Sequence, residues 1–276
     1  MLNTQKKGAE MATYVFSDVH GHAAPLDRLL ERVSPSDGDA IYMLGDMIDR
    51  GPDPLRVMQL CRSLPGCTTL RGNHEDLMLS FFEKPHDAMA QFNWVINGGG
   101  TTAEQLAELP GAECAEWLEW VESLPLSAHT RVNGRAYLLV HAGLRPIGLA
   151  GFGDCTDEEL DMLIATQAPE DLMWIREEFW EEPTGLIDET GAGAIVIAGH
   201  TPTPYLERMY VDLDRSVYGD DGLARMVKVG AGPKTGGIAD RWNIDCCAAA
   251  GHPRGQVLML RLDDGEEFYE PVGEGE

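Results

Sequence analysis

Five short stretches of the chain combine metal-compatible side chains with glycine. They are Asp18-Val19-His20-Gly21, Gly45-Asp46-Met47-Ile48-Asp49-Arg50-Gly51, Gly72-Asn73-His74-Glu75, Val140-His141-Ala142-Gly143 and Gly199-His200-Thr201-Pro202. Asp18 and Asp46 are 28 positions apart, and Asp46 and Asn73 are 27 apart; each interval is the length of one strand–helix–strand repeat. Pooled, the stretches offer the carboxylates of Asp18 and Asp46, the amide oxygen of Asn73 and the imidazoles of His20, His141 and His200. A mixed oxygen and nitrogen set without thiolate suits a hard or borderline divalent ion such as Mn²⁺, Fe or Zn²⁺. The motifs contain no alternative nucleophile.

Each stretch follows a short apolar run: Tyr14 to Phe16, Ala40 to Leu44, Thr68 to Leu70, Tyr137 to Val140 and Ala194 to Ala198. Such runs flanked by glycine predict buried strands. Between the first two, Leu26, Leu29, Leu30 and Val33 mark one helical face, and a second helix fits Pro54 to Leu64 before Pro65-Gly66. Strands alternating with helices predict an α/β fold whose ligands sit at the carboxyl ends of the strands. The segment from about 86 to 125 predicts a helical insert, with Trp117, Trp120, Val121 and Leu124 on one face and glutamates opposite. Asp157 to Phe179 predicts a second helical insert. Residues 204–241 predict a long loop, with room for a hairpin, and Gln256 to Leu262 a closing strand. The organisation expected is a disordered tail over 1–12, with Met11 an alternative start, one domain over 13–265 and an acidic tail over 266–276.

The chain has 21 Lys plus Arg against 46 Asp plus Glu, a formal charge of −25. That field repels polyanions at long range and argues against nucleic-acid binding. No apolar run approaches the roughly 20 residues of a membrane helix. The six cysteines lack CxxC spacing and predict reduced thiols in a cytoplasmic protein. Nothing in the sequence bears on oligomeric state.

Taken in order, the five motifs resemble those of the calcineurin-like metallophosphoesterase superfamily, and within it the bacterial and phage-type phosphoprotein phosphatase branch, from about Tyr14 to Leu262. The resemblance implies a four-layer α+β arrangement: a central β-sandwich flanked by helices, with a two-metal site at the carboxyl edge of the strands. Asp18 and His20 would hold the first metal, Asp46 would bridge, and Asn73, His141 and His200 would complete the second. Mn²⁺ is the expected ion, with Fe or Zn²⁺ also compatible. Two cations about 3.5–4 Å apart can deprotonate a bridging water and clamp a phosphoryl group for in-line attack. By the same resemblance Asn73 would ligate without adding charge and would also contact the substrate phosphate. His74 would be the proton donor, oriented by Asp49, while Arg50 and Arg176 would grip the phosphate.

Three departures touch this pattern. Ser17 replaces a usual glycine, Asn243-Ile244-Asp245 is followed by Cys246-Cys247 instead of Thr-Gly, and the 204–241 region is long. Asp49 and Glu75 match the phosphoprotein phosphatase branch, so the expected activity is that of a metal-dependent phosphomonoesterase acting on phosphoserine, phosphothreonine or a small phosphate ester. The alternatives are a dinucleoside polyphosphate hydrolase and, remotely, a non-catalytic scaffold. His22 is expected to be solvated, and His86, His129 and His252 structural or exposed.

Overall fold

Successive side chains of a strand point to opposite faces, so a strand buried on both sides reads as an unbroken apolar run. Thr13–Phe16 and Ile195–Ala198 are buried throughout and Arg135–Val140 beyond its first residue, whereas Ala40–Met43 alternates buried with half-buried positions and Cys67–Thr69 is half-buried until its last residue. In the computed structural model, which describes residues 11–146 and 153–276, β1 (Thr13–Phe16), β2 (Ala40–Met43) and β3 (Cys67–Thr69) run parallel. The strands β9 (Gln256–Arg261) and β10 (Glu266–Pro271) complete this sheet in the order β10-β9-β1-β2-β3. The second sheet is built from β4 (Ser127–Val132), β5 (Arg135–Val140), β6 (Ile195–Ala198), β7 (Val227–Val229) and β8 (Arg241–Asn243), ordered β4-β5-β6-β8-β7. Its β5, β6 and β8 are parallel, with β4 and β7 antiparallel at the edges.

The two sheets pack face to face. Val15, Leu139, Ile197 and Leu258 meet between them. Tyr14, Phe16 and Met259 point the other way, against α1 (Ala23–Val33), α2 (Pro54–Ser63), α3 (Asn73–Glu83), α4 (Ala88–Ile96), α5 (Gly100–Glu108) and α6 (Gly111–Glu122). Leu138, Val140 and Val196 point outward from the second sheet, against α7 (Asp157–Ala165), α8 (Pro169–Trp174) and α9 (Glu177–Trp180). The result is the expected four layers. Trp117 and Val121 of α6 are buried as its pattern predicts.

Some boundaries move. The acidic tail expected over 266–276 begins with β10, which pairs along its length with β9; Asp264-Gly265 turns the chain, Phe268 and Tyr269 pack against the hydrophobic clusters on opposite faces of the sheet, and Glu267 and Glu270 are ion-paired to Arg215 and to Arg28 and Arg32. The 204–241 region is mostly irregular but folds back on itself through bridges between Leu213 and Val229 and between Tyr218 and Ala224. His22 is buried, not solvated, with Nδ1 2.9 Å from the Glu276 carbonyl. The expected N-terminal tail lies, through residue 10, outside the described residues. All six cysteines are free, and no helix among the described residues is long and apolar enough to cross a membrane.

Candidate active site

The five motifs converge because each follows the carboxyl end of a strand: β1, β2, β3, β5 and β6. There the backbone turns sharply. Asp18, His20, Asp46, Asp49, Arg50 and His200 all have φ between 47° and 70°. Left-handed backbone costs a non-glycine residue about 1–3 kcal/mol and persists where the surroundings impose it, typically at functional sites. It gathers these residues at one cleft, a cavity of about 330 Å³ lined by His20, Asp46, Arg50, Asn73, His74, Arg176 and His200, with Asn97, Trp174 and Tyr205 at its walls. A larger hollow, about 560 Å³, is lined by Arg131, Asp154 and Asp157 and contains none of these groups.

Asp46 turns one oxygen to each of two clusters. Its Oδ2 is 3.4 Å from His20 Nε2, and its Oδ1 is 3.4 Å from His141 Nε2. Candidate ligand atoms of His20, Asp46 and His74 lie within 4.8 Å of one another, as do those of Asp46, His141 and His200. Asn73 Oδ1 joins the second cluster, 2.9 Å from His141 Nε2 and 2.8 Å from His200 Nδ1. Asp18 stands at the margin of the first, 4.0 Å from His20 Nε2, its carboxylate accepting the His200 N–H and the Ser17 hydroxyl.

The proton arrangement tests whether cations fit. His141 Nδ1 is 2.9 Å from the Leu44 carbonyl and His20 Nδ1 is 3.1 Å from that of Ile48. A carbonyl only accepts, so both Nδ1 atoms carry the proton and both Nε2 atoms present lone pairs. His141 Nε2 therefore meets Asn73 Oδ1, another acceptor, with no hydrogen between them. A divalent ion resolves that contact: ligand atoms about 3 Å apart are what a shared ion with bonds of about 2.0–2.2 Å requires. Burial holds the His20 and His200 imidazoles well below their ordinary range and lowers that of His141, keeping all three neutral. Burial, then Asp245 and Asp46, pushes the Asp18 carboxyl well above its usual range. A crowd of buried carboxylates among neutral imidazoles needs positive charge. The donor set thus fits two divalent ions.

His74 differs. Its Nδ1 is 2.7 Å from Asp49 Oδ2 and its Nε2 faces the cleft, 2.9 Å from Arg50 Nη2. Burial works against its cation, but the Asp46 and Asp49 carboxylates outweigh that and raise its pKa. Arg50 also reaches His20 Nε2 at 3.1 Å. Arg176, at the start of α9, lines the opposite wall, with Nη1 3.4 Å from Thr201 Oγ1. His20, Asp46, Arg50, Asn73, His74, Arg176 and His200 thus line one cleft, and Asp18, Asp49 and His141 stand directly behind it against His20, His74 and Asn73.

Two contributors, Trp94 and Thr102, are not marked by any motif, and Glu75, marked only as a feature of the branch, turns out to have a structural task. Glu75, fully buried, accepts the backbone N–H groups of Asp46, Met47 and Gly72 at 2.8–2.9 Å and fixes the loop that carries Asp46. Trp94 and Thr102, from the helical insert, hydrogen-bond Asp49. The one local hint was the Gly98-Gly99-Gly100 run, which marks close backbone approach.

A four-layer sandwich with a two-cluster cleft at the strand ends defines a metallophosphoesterase-type scaffold. A family profile described as calcineurin-like phosphoesterase matches residues 11–248, and the chain belongs to that family. Among curated proteins, a symmetrical bis(5'-nucleosyl)-tetraphosphatase from Dechloromonas aromatica (strain RCB) is 33% identical over 187 residues, 67% of this chain and 62% of that protein. The like-named protein of Paracidovorax citrulli (strain AAC00-1) matches at 33% over 139 residues, 45% of its length. The matched part of the chain thus spans less than two thirds of these relatives. A solved structure of a protein serine/threonine phosphatase from Saccharomyces cerevisiae shares the fold at a TM-score of 0.52 and 15% identity, covering 97% of this chain and 81% of that one.

Proposed function

We propose that the chain is a two-metal hydrolase that cleaves a phosphoanhydride bond of a dinucleoside polyphosphate. The observation that carries the substrate class is the 33% identity to the Dechloromonas tetraphosphatase, which favours this substrate over the phosphomonoester suggested by the motifs. Asp18, His20 and Asp46 would hold one ion, and Asp46, Asn73, His141 and His200 the other. Bound there, the ions supply an activated water and neutralise charge on the phosphoryl group; Mn²⁺ suits the oxygen and nitrogen donors, as do Fe and Zn²⁺. Arg50 and Arg176 grip the phosphoryl oxygens with planar, fork-shaped donors. His74 passes a proton from Nε2 to the departing oxygen while Asp49 holds the ring through Nδ1. The charge of −25 opposes a polyanion at long range, so attraction must come from the arginines and ions at the cleft.

A phosphomonoester, including phosphoserine or phosphothreonine, is the second reading. The Asp49 to His74 contact of 2.7 Å favours it, because an alkoxide is a poor leaving group that needs an oriented acid, whereas a nucleotide phosphate leaves readily. The deciding measurement is kcat/KM for diadenosine tetraphosphate against a phosphothreonine peptide at one Mn²⁺ concentration. An advantage of about tenfold or more for the nucleotide supports the first reading, and the same advantage for the peptide replaces it with the second.

A further inference from the structure

We infer that Trp94 and Thr102, supplied by the helical insert and not by the metal-bearing strands, are positioning residues that fix the Asp49 carboxylate and through it the proton-donating face of His74. The inference rests on the reading of His74 as the acid. Asp49 is fully buried, and each of its oxygens is committed. Oδ2 accepts from His74 Nδ1 at 2.7 Å and from Trp94 Nε1 at 2.9 Å; Oδ1 accepts from the Thr102 hydroxyl at 2.6 Å. The direction of the Thr102 bond is forced. Its Oγ1 accepts the Asp49 backbone N–H at 3.0 Å, so its own proton goes to the carboxylate.

The seat of Trp94 is equally specific. Its indole is fully buried, edge-on to Phe81 at 4.8 Å between ring centroids, and a Cβ on Gly99 would lie 2.6 Å from its Nε1. Thr102, on α5, is fully buried as well. A carboxylate pinned at both oxygens and at its own backbone cannot rotate, so His74 keeps one ring orientation, its Nδ1–H on Asp49 and its Nε2 toward the cleft, and the fixed negative charge favours the imidazolium that can donate from Nε2. That is the preorganisation a general acid needs, and it matters in proportion to how badly the leaving group needs a proton.

The test compares Trp94→Phe, Thr102→Val and Thr102→Ser on two aryl phosphates with Mn²⁺ present: 4-nitrophenyl phosphate, whose leaving group departs unaided, and phenyl phosphate, whose leaving group does not. Trp94→Phe and Thr102→Val should each lower kcat on phenyl phosphate by about tenfold, the equivalent of one hydrogen bond to a charged group. Rates on 4-nitrophenyl phosphate and both KM values should stay near the parent's, and Thr102→Ser should restore the loss. In an Asp49→Asn background, adding Thr102→Val should cost nothing further, because residues acting through one group are not additive. Equal losses on both substrates, or full additivity with Asp49→Asn, would overturn the inference; if Thr102→Val does not fold, Trp94→Phe carries the same comparison. His74→Asn is the reference. If it shows no leaving-group preference, the acid reading falls and the inference with it; if it does, and Trp94→Phe does not, the inference alone falls.

Discussion

Glu75 Oε2 accepts the backbone N–H of Asp46 at 2.9 Å, and the same carboxylate takes two further N–H groups from Met47 and Gly72. The Asp46 side chain that faces both clusters is thus held by a buried acid on the neighbouring motif. Asp46 Oδ1 in turn accepts the His74 N–H at 3.0 Å, closing a reciprocal tie between the β2 and β3 loops.

Glu75→Gln should therefore be costly despite its near-identical shape. Three N–H donors converge on two oxygens, and a glutamine offers one oxygen and turns an NH₂ toward the rest. Leaving a buried donor unmatched costs about 1–3 kcal/mol. The melting midpoint should drop accordingly, and divalent-ion affinity should fall because the Asp46 loop is released. An unchanged midpoint with unchanged ion affinity would show that the tie does not hold the loop.

Asp245 gives a prediction whose sign can be worked out. Burial raises its carboxyl, the Cys247 N–H pulls it back, and the Asp46 charge adds to burial, leaving it near 6 against an ordinary 3.8. A raised carboxyl pKa means the folded protein binds more protons than the unfolded chain between those values, so this residue subtracts stability as pH rises from about 4 to 6. Asp245→Asn keeps the oxygen that accepts from Cys247 and removes the charge. In chelator-treated protein it should match the parent near pH 4 and exceed it above pH 6, by on the order of 2–3 kcal/mol. Paired melting curves at the two pH values decide it; a variant less stable than the parent at pH 7 contradicts the assignment.

How much of this was legible in the sequence follows from burial. β1, β5 and β6 announce themselves because both faces are covered, β2 because Ile41 and Met43 are buried within an apolar run, and their polar exits carry the ligand candidates. Ser127–Val132 and Glu266–Pro271 are edge strands with polar or acidic residues, so neither periodicity nor composition sets them apart from loops. The Asp49 partners were hidden for a different reason. Trp94 lies 45 residues away and Thr102 lies 53 away, and locally they look like an apolar helix position and a polar one. Only tertiary folding reveals that both aim at a carboxylate. The left-handed backbone at Asp18, His20, Asp46 and His200 carries no composition signal beyond the neighbouring glycines.

Gly98 should tune substrate affinity through Arg50. It sits at φ +102°, its carbonyl accepts the Arg50 N–H at 3.1 Å, and an added Cβ would lie 2.7 Å from Arg50 Cγ. Gly98→Ala must displace that side chain, and the positive φ adds strain of about 1 kcal/mol or more. KM for a phosphate ester should rise several-fold, as in Arg50→Lys, with ion content unchanged. Parent-like KM values in Gly98→Ala would detach the glycine from phosphate binding.

His74 lies close enough to Asp46 to be mistaken for a ligand, and ion content separates the two roles. Its Nε2 is 3.9 Å from Asp46 Oδ2, against 3.4 Å for His20, and its Nδ1 is spent on Asp49. His20 differs in kind: its Nδ1 is held by the Ile48 carbonyl, which fixes a lone pair on Nε2 toward Asp46, the arrangement that suits a metal-ligating imidazole. Dialysis of the parent against a chelator should abolish hydrolysis of an aryl phosphate, with Mn²⁺ restoring it. After reloading with Mn²⁺, His74→Asn should retain the parent's ion content while kcat on a poor leaving group falls by about 10²- to 10⁴-fold, the usual contribution of a general acid. His20→Asn should instead lose bound ion, read by elemental analysis, and recover part of its rate as Mn²⁺ is raised. Loss of an ion from His74→Asn would transfer His74 to the ligand set and leave the leaving oxygen without its proposed donor.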